Sequence, residues 1–245
     1  MYFVEIRPAE DLLFFTANKY KSKTIRLQVK ARRSIKDLLE SLGIPHVELG
    51  RIILDGLPSD MDAILFRDSL LDVYPARPAF GDRFLLDVHL GKLAANLRML
   101  GFFADYSRKR DDAELEEISA NRDLILLTCD RGLLMRSGVR RGMMIRSREP
   151  MVQTAEVVCR FLLEGHFHPF SRCIKCGSEL IEAGSLEQLP PGAAAAVPPA
   201  VRGWVETYKI CSACGRPYWK GSHFDGMNKK IEKILELSAV IRQIS

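Results

Sequence analysis

The sequence predicts an α/β protein built on a parallel sheet, with a small module before it and a metal-bound module after it. Two stretches predict the sheet. Residues 84–101, FLLDVHLGKLAANLRMLG, begin as an apolar run that is broken by a carboxylate, Asp87. They continue with Leu90, Leu93, Ala94, Leu97 and Leu100 at the i, i+3, i+4, i+7 spacing of a helix face. Residues 124–130 return to the same pattern, with the run Leu124-Ile-Leu-Leu-Thr128 followed by Cys129 and Asp130. A doubly buried strand that ends in an acid and hands over to a helix is the first half of a βαβ unit. Such sheets form their sites beyond the carboxyl ends of the strands. The third observation is a pair of Cys-x-x-Cys-Gly knuckles, Cys173–Gly177 and Cys211–Gly215.

Composition bounds the reading. The 245 residues are 47% hydrophobic and 27% charged, as in ordinary globular proteins, and long enough for several domains. There is no run of 18 apolar residues and no basic-then-apolar leader pattern, so no membrane association and a cytoplasmic location are expected. Residues 1–75 hold 11 basic and 11 acidic side chains, which leaves the whole net charge of +5 in residues 76–245. A basic excess beside an acidic site points to an anionic substrate such as nucleic acid.

Residues 1–76 read as a separate domain. Tyr2–Ile6 and Thr24–Val29 alternate as strands, and Ser34 with Asp37 caps a helix that stops at Gly43. Arg51–Leu54 is a strand followed by an Asp55-Gly56 turn, Leu70–Tyr74 is a short last strand, and residues 75–78 form a linker. This ββαββ order resembles the β-grasp fold, and residues 34–48 resemble its ubiquitin-like sulfur-carrier branch. Carriers of that branch work through a C-terminal Gly-Gly. Here Val73-Tyr-Pro-Ala76 stands in that place and the chain continues, so the module is expected to bind or pack against a protein partner instead.

Residues 79–165 carry the candidate chemistry. After the 84–101 unit come a strand at 102–106, a basic loop at 107–110, a helix from Asp111/Asp112, the strand ending before Asp130, a fourth strand at 142–145 and a helix at 152–163. Alternating β and α segments at this spacing predict a parallel sheet with helices on both faces. Asp87 and Asp130, at strand ends, are candidate ligands for Mg²⁺ or Mn²⁺, which take oxygen donors. Asp111 pairs with Glu114 as a capping box, so Asp112 is the preferred third acid and Asp111 its alternative. Asp105 reads as a solvated strand-end acid. Lys92 and Asn96 share one helix face with His89 one turn earlier, and all three are candidates to line the cleft, with a surface lysine the alternative for Lys92; Arg131 follows Asp130 directly. Six arginines and no acid lie between Arg131 and Arg148, and Arg140 and Arg141 are the pair chosen for substrate phosphate. Cys129 and Cys159 read as small core residues.

Residues 166–224 form the metal-bound module. Cys173, Cys176, Cys211 and Cys214 are four thiolates in two knuckles, the signature of a closed tetrahedral zinc site. The intervening segment contains PPGAAAAVPP (190–199), which reads as a loop without packing power. His166, His168 and His223 are not needed as ligands. Trp204, Tyr208, Tyr218 and Trp219 are either the module's small core or a surface for stacking bases. Residues 225–245 are an amphipathic C-terminal helix.

The runs LLDVHLGKLAANLRMLG, DDAELEEI, ILLTCDRGL, RCIKC and YWKGSH together resemble the Mut-seven-C RNase family of PIN-like nucleases, over residues 84–223. The first module resembles the ubiquitin-like domain often fused to it. The resemblance implies a PIN-like α/β core, a zinc ribbon and metal-dependent cleavage of RNA, with Asp87, Asp112 and Asp130 as catalytic metal ligands. Two departures stand out: Cys129 where the family has a basic residue, and Ala95-Asn96 in place of an Arg-Trp pair. The expected activity is therefore hydrolysis of RNA phosphodiesters with Mg²⁺ or Mn²⁺ and a structural Zn²⁺. The alternatives are a non-catalytic RNA- or ribosome-binding protein and a phosphatase of smaller esters.

Overall fold

The computed structural model describes residues 1–17, 20 and 24–244, the side chains of 222, 223 and 244 excepted; His223 thus lies outside the described side chains. The chain forms two compact units that do not follow linear domain boundaries. Residues 1–77 join with 111–144, and residues 78–110 join with 145–245. The stretch 79–165 therefore contributes to both.

The first unit opens with the β-grasp sheet. Its strand order is Ile25–Val29, Tyr2–Pro8, Ser69–Pro75, Leu49–Leu54, Leu57–Ser59, with Tyr2–Pro8 and Ser69–Pro75 parallel in the middle. Tyr2–Pro8 alternates buried and exposed residues along its whole length, so one face of the sheet meets the core. The Ile35–Ser41 helix lays Ile35, Leu38 and Leu39 against that core. Its cap is the expected one: Ser34 accepts from the Asp37 backbone N–H at 3.0 Å. Asp55 and Gly56 both have positive φ, at 51° and 85°, which is what a two-residue hairpin turn requires. The place where a carrier would present its tail is tied down. Pro75 pairs with Leu49, and the Ala76 N–H donates to the Glu48 carbonyl at 2.8 Å.

The rest of this unit is the Asp112–Arg122 helix, the buried strand Ile125–Thr128, the short helix Arg131–Leu134 and the strand Gly142–Met144. The two strands pair in parallel, Leu126 opposite Gly142 and Thr128 opposite Met144. Three bonds fasten this stretch to the β-grasp module. The Met144 N–H donates to Glu48 Oε1 at 2.7 Å, His46 Nε2 meets the Val139 carbonyl at 2.7 Å, and an Arg131 guanidinium nitrogen donates to the Phe15 carbonyl at 2.6 Å.

The second unit opens with the other parallel pair, Arg83–Leu86 beside Phe103–Tyr106, connected through the Gly91–Leu100 helix. That helix buries Leu93, Ala94, Leu97 and Leu100 and ends at Gly101, whose φ of 100° closes it in the left-handed region. The Pro150–Arg160 helix packs on it and on the long Ser222–Ile244 helix, which begins earlier than the sequence pattern suggested. The ribbon strands Leu180–Gly184, Tyr208–Cys211 and Pro217–Tyr218 form an antiparallel sheet.

The segment at 190–199 corrects the sequence reading. It contains two short helices, Pro191–Ala195 and Pro199–Arg202, each with proline in its first turn, where no N–H is missed. Ala193 and Val197 are buried with Leu189 against Tyr208. Alanine is small enough to bring a helix close to an aromatic ring, so this segment has a core of its own. Cys129 is also corrected: it is exposed, whereas Cys159 is buried as expected. Thr128 closes the buried strand, so the residue after it already lies outside.

Candidate functional site

Asp130 sits where the strand Ile125–Thr128 gives way to the Arg131–Leu134 helix, and two local devices fix it. The buried Thr128 hydroxyl oxygen accepts from the Asp130 N–H at 2.9 Å. Asp130 Oδ1 in turn accepts from the N–H groups of Gly132 at 2.6 Å and Leu133 at 3.4 Å, as a helix N-cap. The Thr-x-Asp triplet is thus one hydrogen-bonded turn that holds an exposed carboxylate at a strand end. Among the described residues, Oδ2 has no partner.

Asp87 occupies the equivalent place after Arg83–Leu86 in the second unit. It caps the short 3-10 turn Val88–Leu90, accepting from the Val88 N–H, and only 6% of it is exposed. The Tyr106 hydroxyl donates to the Val88 carbonyl at 2.9 Å and pins that turn to the neighbouring strand. Both strand-end aspartates are therefore positioned through their own backbone.

The helix-start acids divide as the capping pattern predicts. Asp111 accepts from the Glu114 N–H at 2.9 Å, and Glu114 accepts from the Asp111 N–H at 3.2 Å, a complete capping box. Asp112 is half exposed and 3.7 Å from Arg136, which also meets Glu116 at 3.3 Å. The Gly138 N–H holds Glu116 below the usual carboxylate range, with help from Arg136. Asp105 is ion-paired with Arg110 at 2.8 Å.

The ribbon supplies a candidate metal centre. Among the described residues, Cys173, Cys176, Cys211 and Cys214 are the one group of three or more candidate ligands whose donor atoms lie within 4.8 Å of one another. Thiolates about 2.3 Å from a tetrahedral ion stand about 3.8 Å apart. Here Cys173 and Cys214 sulfurs are 3.7 Å apart and Cys176 and Cys211 sulfurs 3.4 Å, so the cluster fits Zn²⁺. The two knuckles are built alike. Cys176 N–H points to Cys173 Sγ and Cys214 N–H to Cys211 Sγ, while Gly177 and Gly215, at φ 84° and 66°, turn the chain back. Burial pushes Cys211 up to about 12. Burial acts the same way on Cys176, but hydrogen bonds from the Ser178 backbone and hydroxyl, with those of Cys211 and Cys173, outweigh it and bring that thiol down to about 6. Cys176 is thus the readiest donor and burial holds Cys211 and Cys214 back, and a bound cation would displace the remaining thiol protons.

Comparison with known families matches residues 82–231 to the Mut7-C RNase domain. The match covers well over half of the 245 residues. The chain belongs to the Mut7-C RNase family. Residues 1–80 match the Mut7-C ubiquitin domain, in line with the β-grasp sheet. No curated protein and no solved structure matches the chain. The Mut7-C match gives this chain a domain of the nuclease class, joined to a ubiquitin-like module suited to protein contacts. No helix among the described residues is long and apolar enough to cross a membrane.

Within this Mut7-C chain the candidate cations fare differently. Lys92 and Arg140 are exposed, and neither side chain has a partner among the described residues. Arg131 is spent on the Phe15 carbonyl, and Arg141 lies 3.7 Å from Asp123. Asn96 is turned toward the Pro150–Arg160 helix, donating to Thr154 at 2.9 Å. His89 is exposed.

Three contributors escaped the sequence reading. Thr128 holds the Asp130 backbone. The Tyr218 hydroxyl accepts from the Ile174 N–H and shares a hydrogen bond with Cys173 Sγ, both at 3.1 Å; burial first, then the contact with Cys173, raise the pKa of that phenol. Arg98, 4% exposed, donates to the Ala104, Ile174 and Lys175 carbonyls and so ties the first knuckle to the helix and strand that follow Asp87. Burial lowers its pKa. An arginine inside the apolar series Leu97, Met99, Leu100 was the available signal.

Proposed function

We propose that the chain is a ribonuclease that hydrolyses RNA phosphodiesters with a divalent cation held by Asp87, Asp112 and Asp130. The observation that carries the reading is the cradle at Thr128–Leu133. It presents a fixed, exposed carboxylate with one open oxygen at a strand end of an RNase-family domain. Carboxylate oxygens are the donors that Mg²⁺ and Mn²⁺ take, in preference to the softer metals suited to the cysteines. When bound, such an ion supplies Lewis-acid polarisation of a phosphoryl oxygen and a more acidic water. The chain's own residues do the rest. Asp130 and Asp87 hold their carboxylates in place through backbone caps, and Lys92, Arg140 and Arg141 neutralise substrate phosphate, with Arg131 at the head of the same segment. Residues 1–76 are the part of the chain that meets a protein partner.

A second reading, an RNA-binding protein without cleavage, is favoured by the Asp112–Arg136 pair, which gives the third acid a cation already. Cleavage of labelled RNA with and without Mn²⁺ separates the two. Asp87→Asn and Asp130→Asn should each abolish metal-stimulated cleavage with zinc content unchanged. Full activity in either variant removes that residue from the site, and no cleavage by the parent protein leaves the binding reading.

A further inference from the structure

A cavity of about 1250 Å³ in the second unit lies between the zinc ribbon and the Gly91–Leu100 helix. That exceeds the range of roughly 300–1,000 Å³ usual for small-ligand pockets. Its wall is chemically one-sided. The chain has 31 acidic residues, yet none lines the cavity among the described residues. Four cations do. Arg98 and Arg172 donate to backbone carbonyls. Lys175, within the first knuckle, and Arg216, just after the second, are exposed, and their side chains have no partner among the described residues.

The remaining wall is rich in aromatic rings. Phe170 stands edge-on to Phe224, with centroids 5.4 Å apart, and to Tyr218 at 6.5 Å. Trp219 lies nearby against Tyr208 at 6.3 Å, half-buried, and its indole N–H donates to no described group. Phe170 also has a φ of 64°, a left-handed conformation that costs a phenylalanine energy and tends to be kept where a site needs it. Edge-to-face rings can take a third flat partner against a ring face, here with Lys220 already over one face of Phe224 at 5.6 Å from its centroid, and open cations beside them suit a phosphate backbone. Among macromolecules, single-stranded nucleic acid offers both in alternation.

We infer that this cavity is a second RNA-holding surface, in which one or two unpaired bases stack on the Phe170, Tyr218, Trp219 and Phe224 rings while Lys175 and Arg216 neutralise the adjoining phosphates. The choice of RNA over other strands rests on the ribonuclease reading; the stacking and charge arguments do not. The surface engages RNA without acting on it, and it is insensitive to base sequence because every base has a π-face.

The test uses the full chain with zinc bound and no added Mg²⁺ or Mn²⁺, so that binding is read apart from cleavage. The chain has two tryptophans, and Trp204→Phe leaves Trp219 as the sole tryptophan, read by excitation at the red edge where tyrosine does not absorb. Titration with a single-stranded 12-mer should quench Trp219. The Lys175→Gln/Arg216→Gln double variant should bind roughly tenfold more weakly at low salt. Its log–log salt slope should be flatter by about 1.4, since each phosphate left without its cation removes about 0.7. Trp219 emission unchanged at saturating RNA overturns the inference, as does a double variant with the parent's affinity and slope. Quenching by an acidic peptide and not by RNA overturns it in favour of a protein ligand. A chain that shows these binding effects and never cleaves RNA refutes the ribonuclease reading alone; one that cleaves RNA and lacks them refutes the second surface alone.

Discussion

Met144 donates its backbone N–H to the carboxylate of Glu48, 96 residues earlier, at 2.7 Å. Glu48 is 7% exposed, and Met144 also packs on the β-grasp core. A carboxylate buried in this way is the edge partner of the strand Gly142–Met144, doing for its last amide what another strand would do. Glu48→Ala should leave that amide unsatisfied and cost about 1–3 kcal/mol in urea unfolding. A loss below about 0.5 kcal/mol would mean that the amide finds another acceptor, and the fastening would have to be credited to His46 and Arg131.

Thr128 is a positioning residue for Asp130. Thr128→Val keeps the shape and removes the oxygen that accepts the Asp130 N–H, so the carboxylate loses one of its two restraints. Metal-stimulated cleavage should fall about 10- to 100-fold, mainly in kcat, because small misplacements of a reacting group carry penalties of that order. Thr128→Ser should restore most of it. A valine variant as active as the parent, or a serine variant as poor as valine, would show that the hydroxyl serves the strand alone.

The four-thiolate cluster should hold one zinc per chain. Structural zinc sites carry about 10–16 kcal/mol of apparent binding free energy at neutral pH, so losing a ligand is felt by the whole ribbon. Cys214→Ser should release the metal and open the Leu180–Gly184 and Tyr208–Cys211 strands to protease, with the β-grasp module still protected. Metal analysis that finds zinc retained at one per chain in this variant would contradict the assignment of Cys214.

Tyr208 makes a prediction of the opposite sign. It is fully buried in the small core of the ribbon segment, and its hydroxyl has no hydrogen-bond partner among the described residues. An unsatisfied buried polar group costs about 1–3 kcal/mol. Tyr208→Phe should therefore leave stability unchanged or raise it by up to about that amount, seen as a higher Tm with zinc bound. A clear loss of stability would mean that the hydroxyl is engaged, by ordered water or by a ligand reaching in from the cavity beside Ala193.

What could be read from the sequence was what is decided locally. The Ser34 cap, the Asp111–Glu114 capping box, the Asp55-Gly56 turn and the cysteine knuckles each depend on residues a few positions apart, and each is present. The strand-end placing of Asp87 and Asp130 followed from apolar runs of the right length. The partners of the cations were not legible. Arg131 follows Asp130 directly, yet its guanidinium goes to a carbonyl 116 residues away, and nothing in its neighbourhood encodes that. The Ala-Pro segment was misread for a related reason. Its composition is weak by every local measure, and its burial comes from Tyr208, which lies on a later strand.

The division of the chain also orders events in time. The β-grasp residues leave the ribosome first, but their unit is finished only when residues 111–144 arrive, after the 67 residues from 78 to 144 have been made. At about 5–20 residues per second that is a wait of roughly 3–13 s. Meanwhile residues 78–110 emerge, and they belong to a unit that closes only near the end of the chain. For those seconds Glu48, His46 and the Phe15 carbonyl wait for the Met144 N–H, the Val139 carbonyl and the Arg131 guanidinium. Vectorial synthesis therefore gives this chain an interval in which its ubiquitin-like module offers a face that the mature protein keeps covered.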